Sequence, residues 1–362
     1  KRLRALVEIE SPSDDKAAVD RANDLVAGWA VDLGATVKRH KQRAFGDVLE
    51  LRFGTVKNPR AQRPRVLLIG HLDTVWSLGT LAKMPWRENG GKIFGPGVLD
   101  MKAGVVMALE ALRILRKLDT ERPVTLLLNS DEEIGSPVSR PITEKIAQQC
   151  SAVFVLEPAQ GLAYKTARKG VGHFDLRVTG VGAHAGVDFQ SGHSAVLEMA
   201  HLVETVSAFT DLAKGRTLNV GVIAGGTRSN VIAAECAAQV DVRIGKVSDA
   251  AAVEKFMRDL RVSDKACKLE VTGGLNRPPM ERKPGTVALF KQAKKLAAEI
   301  GFTLDEASTG GGSDGNFTAA LGVPTLDGMG AVGAGAHAAH EHIERAHLIQ
   351  RTTLLAALLA TV

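Results

Sequence analysis

Three short runs in the chain, Val66–Gly70, Val124–Asn129 and Ala152–Leu156, are apolar almost without a break. A strand with one wet face alternates apolar and polar residues, so a run without alternation reads as a strand covered on both faces. Val48–Phe53 reads as a further strand, and Lys102–Leu118 sets Val105, Ala108, Leu109, Leu112 and Leu115 on one helical face. Residues 3–10 and 16–33 also carry helical spacing, joined by the turn Ser11-Pro12-Ser13. Buried strands alternating with amphipathic helices imply an α/β domain built on a mostly parallel sheet.

The pattern changes after Gly161. His173–Thr179, Leu218–Ile223, Ala238–Ile244 and Cys267–Val271 alternate with period two, and His193–Phe209 and Asp249–Leu260 have helical spacing. Four half-buried strands and two helices describe a small α+β unit with one open sheet face. Gly273–Pro279 reads as a linker, after which helices at Val287–Ile300 and Leu348–Leu359 and a strand entry at Gly322–Leu326 resume the first pattern. The expected division is residues 1–165 with 277–362, interrupted by an inserted domain at 166–276.

Composition narrows the function classes. The chain has 362 residues, 45% of them hydrophobic and 24% charged, and a net charge of +6, which fits a globular protein. Its basic residues cluster only at Lys38–Arg43 and Arg277–Lys283, without interleaved aromatics, so no nucleic-acid partner is expected. No apolar run reaches membrane-spanning length, and no membrane partner is expected. Cys150, Cys236 and Cys267 have neither disulfide-framework nor zinc-finger spacing. The compartment stays open between cytoplasm and export, since the chain begins at Lys1 rather than Met.

The chemistry gathers where the buried runs end. Glu132 and Glu133, in Ser130–Gly135, follow Val124–Asn129 directly. Neighbouring acids repel, so the pair is either a solvated turn or one acid on a cation beside another that moves a proton. His71 and Asp73 follow Val66–Gly70, as a turn histidine or as a metal ligand with the carboxylate that orients it. Asp100 precedes a helix and would serve as its N-cap or bridge two metals. Glu157 ends Ala152–Leu156, and His337, His340 and His342 crowd a loop before the last helix, where spacing alone does not choose among them. Parallel sheets collect ligands at strand carboxyl ends. Two histidines and three carboxylates there suit two zinc ions sharing one carboxylate, with cobalt or manganese as possible substitutes.

The succession H-L-D-T-V, G-P-G-V-L-D-M-K-A-G, S-D-E-E-I-G-S, L-E-P and a late G-A-H resembles the aminoacylase and carboxypeptidase family of co-catalytic di-zinc amidohydrolases, and within it the glutamate carboxypeptidase branch. The resemblance runs through essentially the whole chain. It implies a di-zinc exopeptidase-like α/β catalytic domain with an inserted dimerisation or lid domain. It also implies that His71 and Glu157 hold one ion, that Glu133 and a late histidine, best matched by His337, hold the other, and that Asp100 bridges. By the same resemblance Glu132 is the general base and Asp73 supports His71. His184, in Thr179–Gly186, would reach the active site of a second subunit and help hold the oxyanion. Asn230, Arg243 and the loop Gly310, Gly311 and Gly312 would bind the substrate, the last two elements through its free carboxylate.

The resulting expectation is a homodimeric zinc hydrolase. It releases a C-terminal amino acid, glutamate-like by preference, from a peptide or N-acyl amino acid. The alternatives are a deacetylase or desuccinylase acting on acetylornithine or succinyl-diaminopimelate, a dipeptidase, a mononuclear hydrolase, or a catalytically dead relative. The last would have lost Glu132 or a ligand, and this chain keeps them all.

Overall fold

The computed structural model describes residues 1–54, 64–120 and 122–362. They form two compact units: Lys1–Ala167 with Arg282–Thr309 and Ser313–Val362, and Arg168–Glu281 with Gly310–Gly312.

The first unit is organised by a six-stranded sheet in the order Thr36–His40, Val48–Phe53, Val124–Asn129, Val66–His71, Ala152–Val155, Thr325–Leu326. The last four are mutually parallel, and the first two add antiparallel pairings at one side. Continuous apolar runs occur because both faces are covered. Leu68, Leu126 and Phe154 join a layer with the helices Lys16–Asp32, Ala103–Lys117, Pro284–Ile300 and Arg345–Thr361. Leu67, Ile69, Leu127, Val153 and Val155 face the other way, against Ile146 and Ala147 of the helix Arg140–Ala147. Each such fully buried side chain stabilises the fold by about 1.5–3 kcal/mol.

Register then sets the functional rim. His71 pairs with Asn129, so the Ser130–Gly135 turn begins level with His71. Ile69 pairs with Val155, which brings Glu157 to the same level two residues further on.

Several segments differ from the sequence expectation. The basic stretch at Lys38 lies partly in the strand Thr36–His40, where Lys38 and His40 face the buried Glu50 of the neighbouring strand. Asp100 does not cap the following helix. That helix starts at Ala103 with no side-chain cap, and Asp100 lies in the irregular turn Val98–Lys102 with extended backbone angles. A small second sheet, Gly333–Ala334, His342–Glu344, Lys92–Phe94 and Arg87–Asn89, has strands too short for a period to show. Among the described residues no helix is long and apolar enough to cross a membrane.

The second unit is an antiparallel sheet ordered Thr217–Gly225, Glu235–Ile244, Gly170–Thr179, Lys268–Arg277. Phe174, Leu176, Val178, Val240 and Val242 pack with Met199, Leu202, Val206, Val253 and Met257 of the helices Ala195–Ala208 and Ser248–Arg258. The opposite face stays wet, which explains the alternation. Gly273–Arg277 is not a linker but the end of the last strand. Gly273 has φ +98°, and a Cβ there would lie 2.2 Å from the His173 carbonyl oxygen. The ladder needs that glycine, yet glycine erases the period that marks a strand.

Candidate metal centre

The strand ends and two loops of the first unit assemble one cluster. Gly97, at φ +68°, turns the chain into Val98–Lys102, so Asp100 projects toward the sheet rim. Its Oδ1 lies 3.3 Å from His71 Nε2 and its Oδ2 lies 3.5 Å from His337 Nε2. One carboxylate thus faces two imidazoles. Glu157 Oε1 stands 3.8 Å from His71 Nε2, and Glu133 Oε2 stands 3.1 Å from His337 Nε2. Donor atoms of His71, Asp100 and Glu133 fall within 4.8 Å of one another, as do those of His71, Glu132 and Glu157.

Of the three late histidines only His337 meets these acids. It sits at φ +61° on an exposed turn. His342 is buried on the strand His342–Glu344, with its Nδ1 2.9 Å from the His340 carbonyl oxygen and its ring 5.2 Å from that of Phe94. His340 is exposed.

The electrostatics are those of a cluster that wants positive charge. Burial pushes the His71 imidazole down, but hydrogen bonding to Asp100 and Asp73 outweighs it, and the net shift is well upward. Asp100 and Glu133 draw His337 up to about 10. Burial acts to raise Asp100, yet the two histidines hold it below the ordinary carboxylate range. Two histidines and three acids are a donor set for divalent transition ions. Glu133 Oε1 is buried and accepts no hydrogen bond. A buried carboxylate oxygen without a partner is costly, and a cation beside it removes the cost. The residues therefore fit a pair of metal ions.

Asp73, fully buried, supports the cluster from behind. His71 Nδ1 is 2.9 Å from the Asp73 backbone oxygen and 3.5 Å from its carboxylate, so the main chain, more than the side chain, orients the ring. Both acceptors favour a proton on Nδ1 and leave Nε2 toward Asp100 and Glu157. The Asp73 carboxylate instead accepts from the Glu132 N–H at 3.3 Å, the Glu133 N–H at 3.2 Å and the Ser13 hydroxyl at 2.7 Å. Sequence reasoning missed Ser13, which stood in a plain turn signal, along with Trp76 and any role for Glu341.

The remaining expected residues belong to the second unit. His184 and Asn230 meet there: Ala185 N–H donates to the Asn230 carbonyl at 2.9 Å, and His184 pairs with Val231. The exposed His184 ring accepts a hydrogen bond at Nδ1 from the Gly186 N–H, at 3.2 Å, so neutral imidazole carries its proton on Nε2. Arg243 places Nε and Nη2 on Asp241, at 2.9 and 2.8 Å, and Nη1 on the Gly310 carbonyl at 3.2 Å. Arg168 Nη1 donates to the carbonyls of Gly311 and Gly312. The two arginines hold the loop by its carbonyls. Only Gly312 is sterically required to be glycine, since a Cβ would come within 2.8 Å of Arg277 Cδ.

Comparison with known proteins gives the chain its family and its fold. Residues 67–361 match the model of peptidase family M20/M25/M40. The chain is 31% identical over 348 residues to carboxypeptidase G2 of Pseudomonas sp. (strain RS-16), covering 93% of this chain and 82% of that one. It is 29% identical over 265 residues to acetylornithine deacetylase of Klebsiella pneumoniae (strain 342), covering 66% of each. The crystal structure of the aminopeptidase PepT from Bacillus cereus superposes with a TM-score of 0.80 at 22% identity, covering 99% of this chain and 96% of that one. With a candidate metal-binding rim on a fold matched along most of its length, the chain is a hydrolase of amide bonds: the protein belongs to peptidase family M20/M25/M40.

Proposed function

We propose that the protein is a di-zinc carboxypeptidase that releases a C-terminal amino acid, glutamate-like by preference, from a peptide or N-acyl amino acid. The observation that carries the di-metal reading is Asp100, whose two oxygens face His71 and His337 separately. His71, Glu157 and Asp100 would hold one ion, and Asp100, Glu133 and His337 the other. When bound, such ions acidify water and polarise a carbonyl.

The remaining work falls to side chains. Glu132 takes a proton from the attacking water as the oxygen bonds to the scissile carbonyl carbon. It gives that proton to the amine nitrogen as the C–N bond breaks. The N–H of His184 Nε2, supplied by a second copy of the chain, donates to the oxyanion. Asn230 contacts the substrate. Arg243 and the loop Gly310–Gly312 receive the carboxylate of the leaving amino acid; in that role Arg243 would share its fork between Asp241 and substrate. The carboxypeptidase reading is supported by the 31% identity to carboxypeptidase G2, and the glutamate preference rests on the resemblance of the motifs T-G-G-G-S-D, L-E-P and N-S-D-E-E to the glutamate carboxypeptidase branch.

The test is a steady-state panel of N-benzoyl and folate-type glutamates against N-acetylornithine and N-succinyl-diaminopimelate, run with Glu132→Gln beside the native protein. Glutamate conjugates should be preferred, and Glu132→Gln should retain its ions while kcat falls by about 10²–10⁴-fold. Preference for N-acetylornithine would favour the deacetylase reading that the Klebsiella relative supports. A near-native kcat for the variant would remove Glu132 from the base role.

A further inference from the structure

Glu341 lies four residues beyond His337 and is fully buried. Its carboxylate is filled by three backbone donors of the Gly97–Asp100 turn and by the Trp76 indole. Oε1 accepts from the backbone N–H groups of Leu99 at 2.8 Å and Asp100 at 3.1 Å. Oε2 accepts from the Gly97 N–H at 2.9 Å and the Trp76 indole N–H at 2.8 Å. Lys102, itself buried and donating to the Ile9 carbonyl, supplies favourable positive charge nearby.

These bonds tie together two segments that run on beyond the paired strands Lys92–Phe94 and His342–Glu344. One is the irregular turn that aims Asp100. The other is the loop that carries His337. A carboxylate shared between His71 and His337 is sensitive to the turn's orientation, because a rotation that shortens one distance lengthens the other. The turn has little room to relax, since a Cβ on Gly97 would meet Thr74 Cγ2 at 2.7 Å.

We propose that Glu341 is a positioning residue that sets the spacing of the two ion sites, by clamping the Gly97–Asp100 turn to the His337 loop. The proposal rests on the reading of Asp100 as the shared ligand. A purely structural role would also cost stability on mutation, but it would leave ion binding intact in the folded protein. Binding therefore separates the two.

The experiment titrates metal-free protein with Co²⁺, followed by visible absorption and calorimetry, well below the melting transition of each variant. Glu341→Gln turns one acceptor into an amide that faces N–H donors. It should weaken binding of at least one Co²⁺ by about 10–100-fold and shift the spectrum. Glu341→Asp keeps the charge but is one methylene short, and serves if the glutamine variant does not fold; it should err in the same direction by less. Native affinity and spectrum for both ions in a folded Glu341 variant would overturn the proposal, however far its melting point falls. Asp100→Asn is run in parallel. If that variant keeps both ions at native affinity, the shared-ligand reading itself is wrong, which is distinct from a failure confined to Glu341.

Discussion

The carboxylate of Asp73 accepts a hydrogen bond from the backbone N–H of Glu132 at 3.3 Å. The same group receives the Glu133 N–H and the Ser13 hydroxyl, and its main-chain oxygen receives the His71 ring. One residue thus fixes the ring at one strand end and the adjacent acids at the next. Asp73→Asn converts one acceptor oxygen into a donor that must face an N–H or O–H. The expected result is a folded protein whose kcat is lower by about 10–100-fold. Turnover and metal content measured together check this, and an unchanged kcat would show that the Glu132–Glu133 turn holds itself.

His184 offers a test of the proposed second copy. Glu132→Ala and His184→Ala should each be nearly inactive alone. If His184 serves the site of a partner, co-expressing the two variants yields mixed dimers with one intact site each, and activity returns. If His184 serves its own chain, or the protein is monomeric, the mixture stays inactive. Activity of the mixture against each parent, with sedimentation to give the mass, decides between these outcomes.

The rim of the sheet was legible because burial leaves a mark in sequence. Val66–Gly70, Val124–Asn129 and Ala152–Leu156 are apolar on both faces, and an ionisable group directly after such a run is conspicuous. What stayed hidden depends on the backbone. Gly273–Arg277 pairs through peptide groups while its glycines carry no pattern. Glu341 acts on N–H groups of Gly97, Leu99 and Asp100, more than 240 residues earlier in the chain, and any residue but proline supplies such donors. Arg243 and Gly310 could be named one by one, but not the bond between them.

Arg351 illustrates a further hidden device. It is fully buried on the last helix, donating from Nε to the Gly330 carbonyl and from Nη2 to the Gly328 carbonyl, both at 2.6 Å, with its guanidinium 4.7 Å from the Tyr164 ring centroid. Gly330 in turn donates its N–H to the Glu157 carbonyl at 2.9 Å. A lysine cannot reproduce the planar fork or the stacking. Arg351→Lys should destabilise the first unit by roughly 2–3 kcal/mol, read as a lower denaturant midpoint. An unchanged midpoint would mean that the carbonyls find other donors.

Glu50 gives the pH dependence of the sheet edge. It is buried and takes hydrogen bonds from the His40 ring at 2.8 Å and from Arg52 Nε at 2.5 Å, with Lys38 at 3.8 Å. Burial alone would raise its carboxyl, but His40 and Arg52 prevail and lower it from the ordinary 4.5. A depressed folded value means that the carboxylate contributes stability above the unfolded value, and that this contribution is lost as the pH falls through the folded one. Glu50→Gln should therefore lower the unfolding midpoint at neutral pH, and the gap between the native protein and the variant should close as the pH drops below about 4.5. Paired denaturant titrations from neutral pH to below that value measure the gap directly. Comparing the two proteins at each pH cancels the titration of the other carboxylates. A gap that stays constant across the series would place the cost of the substitution in packing rather than in charge.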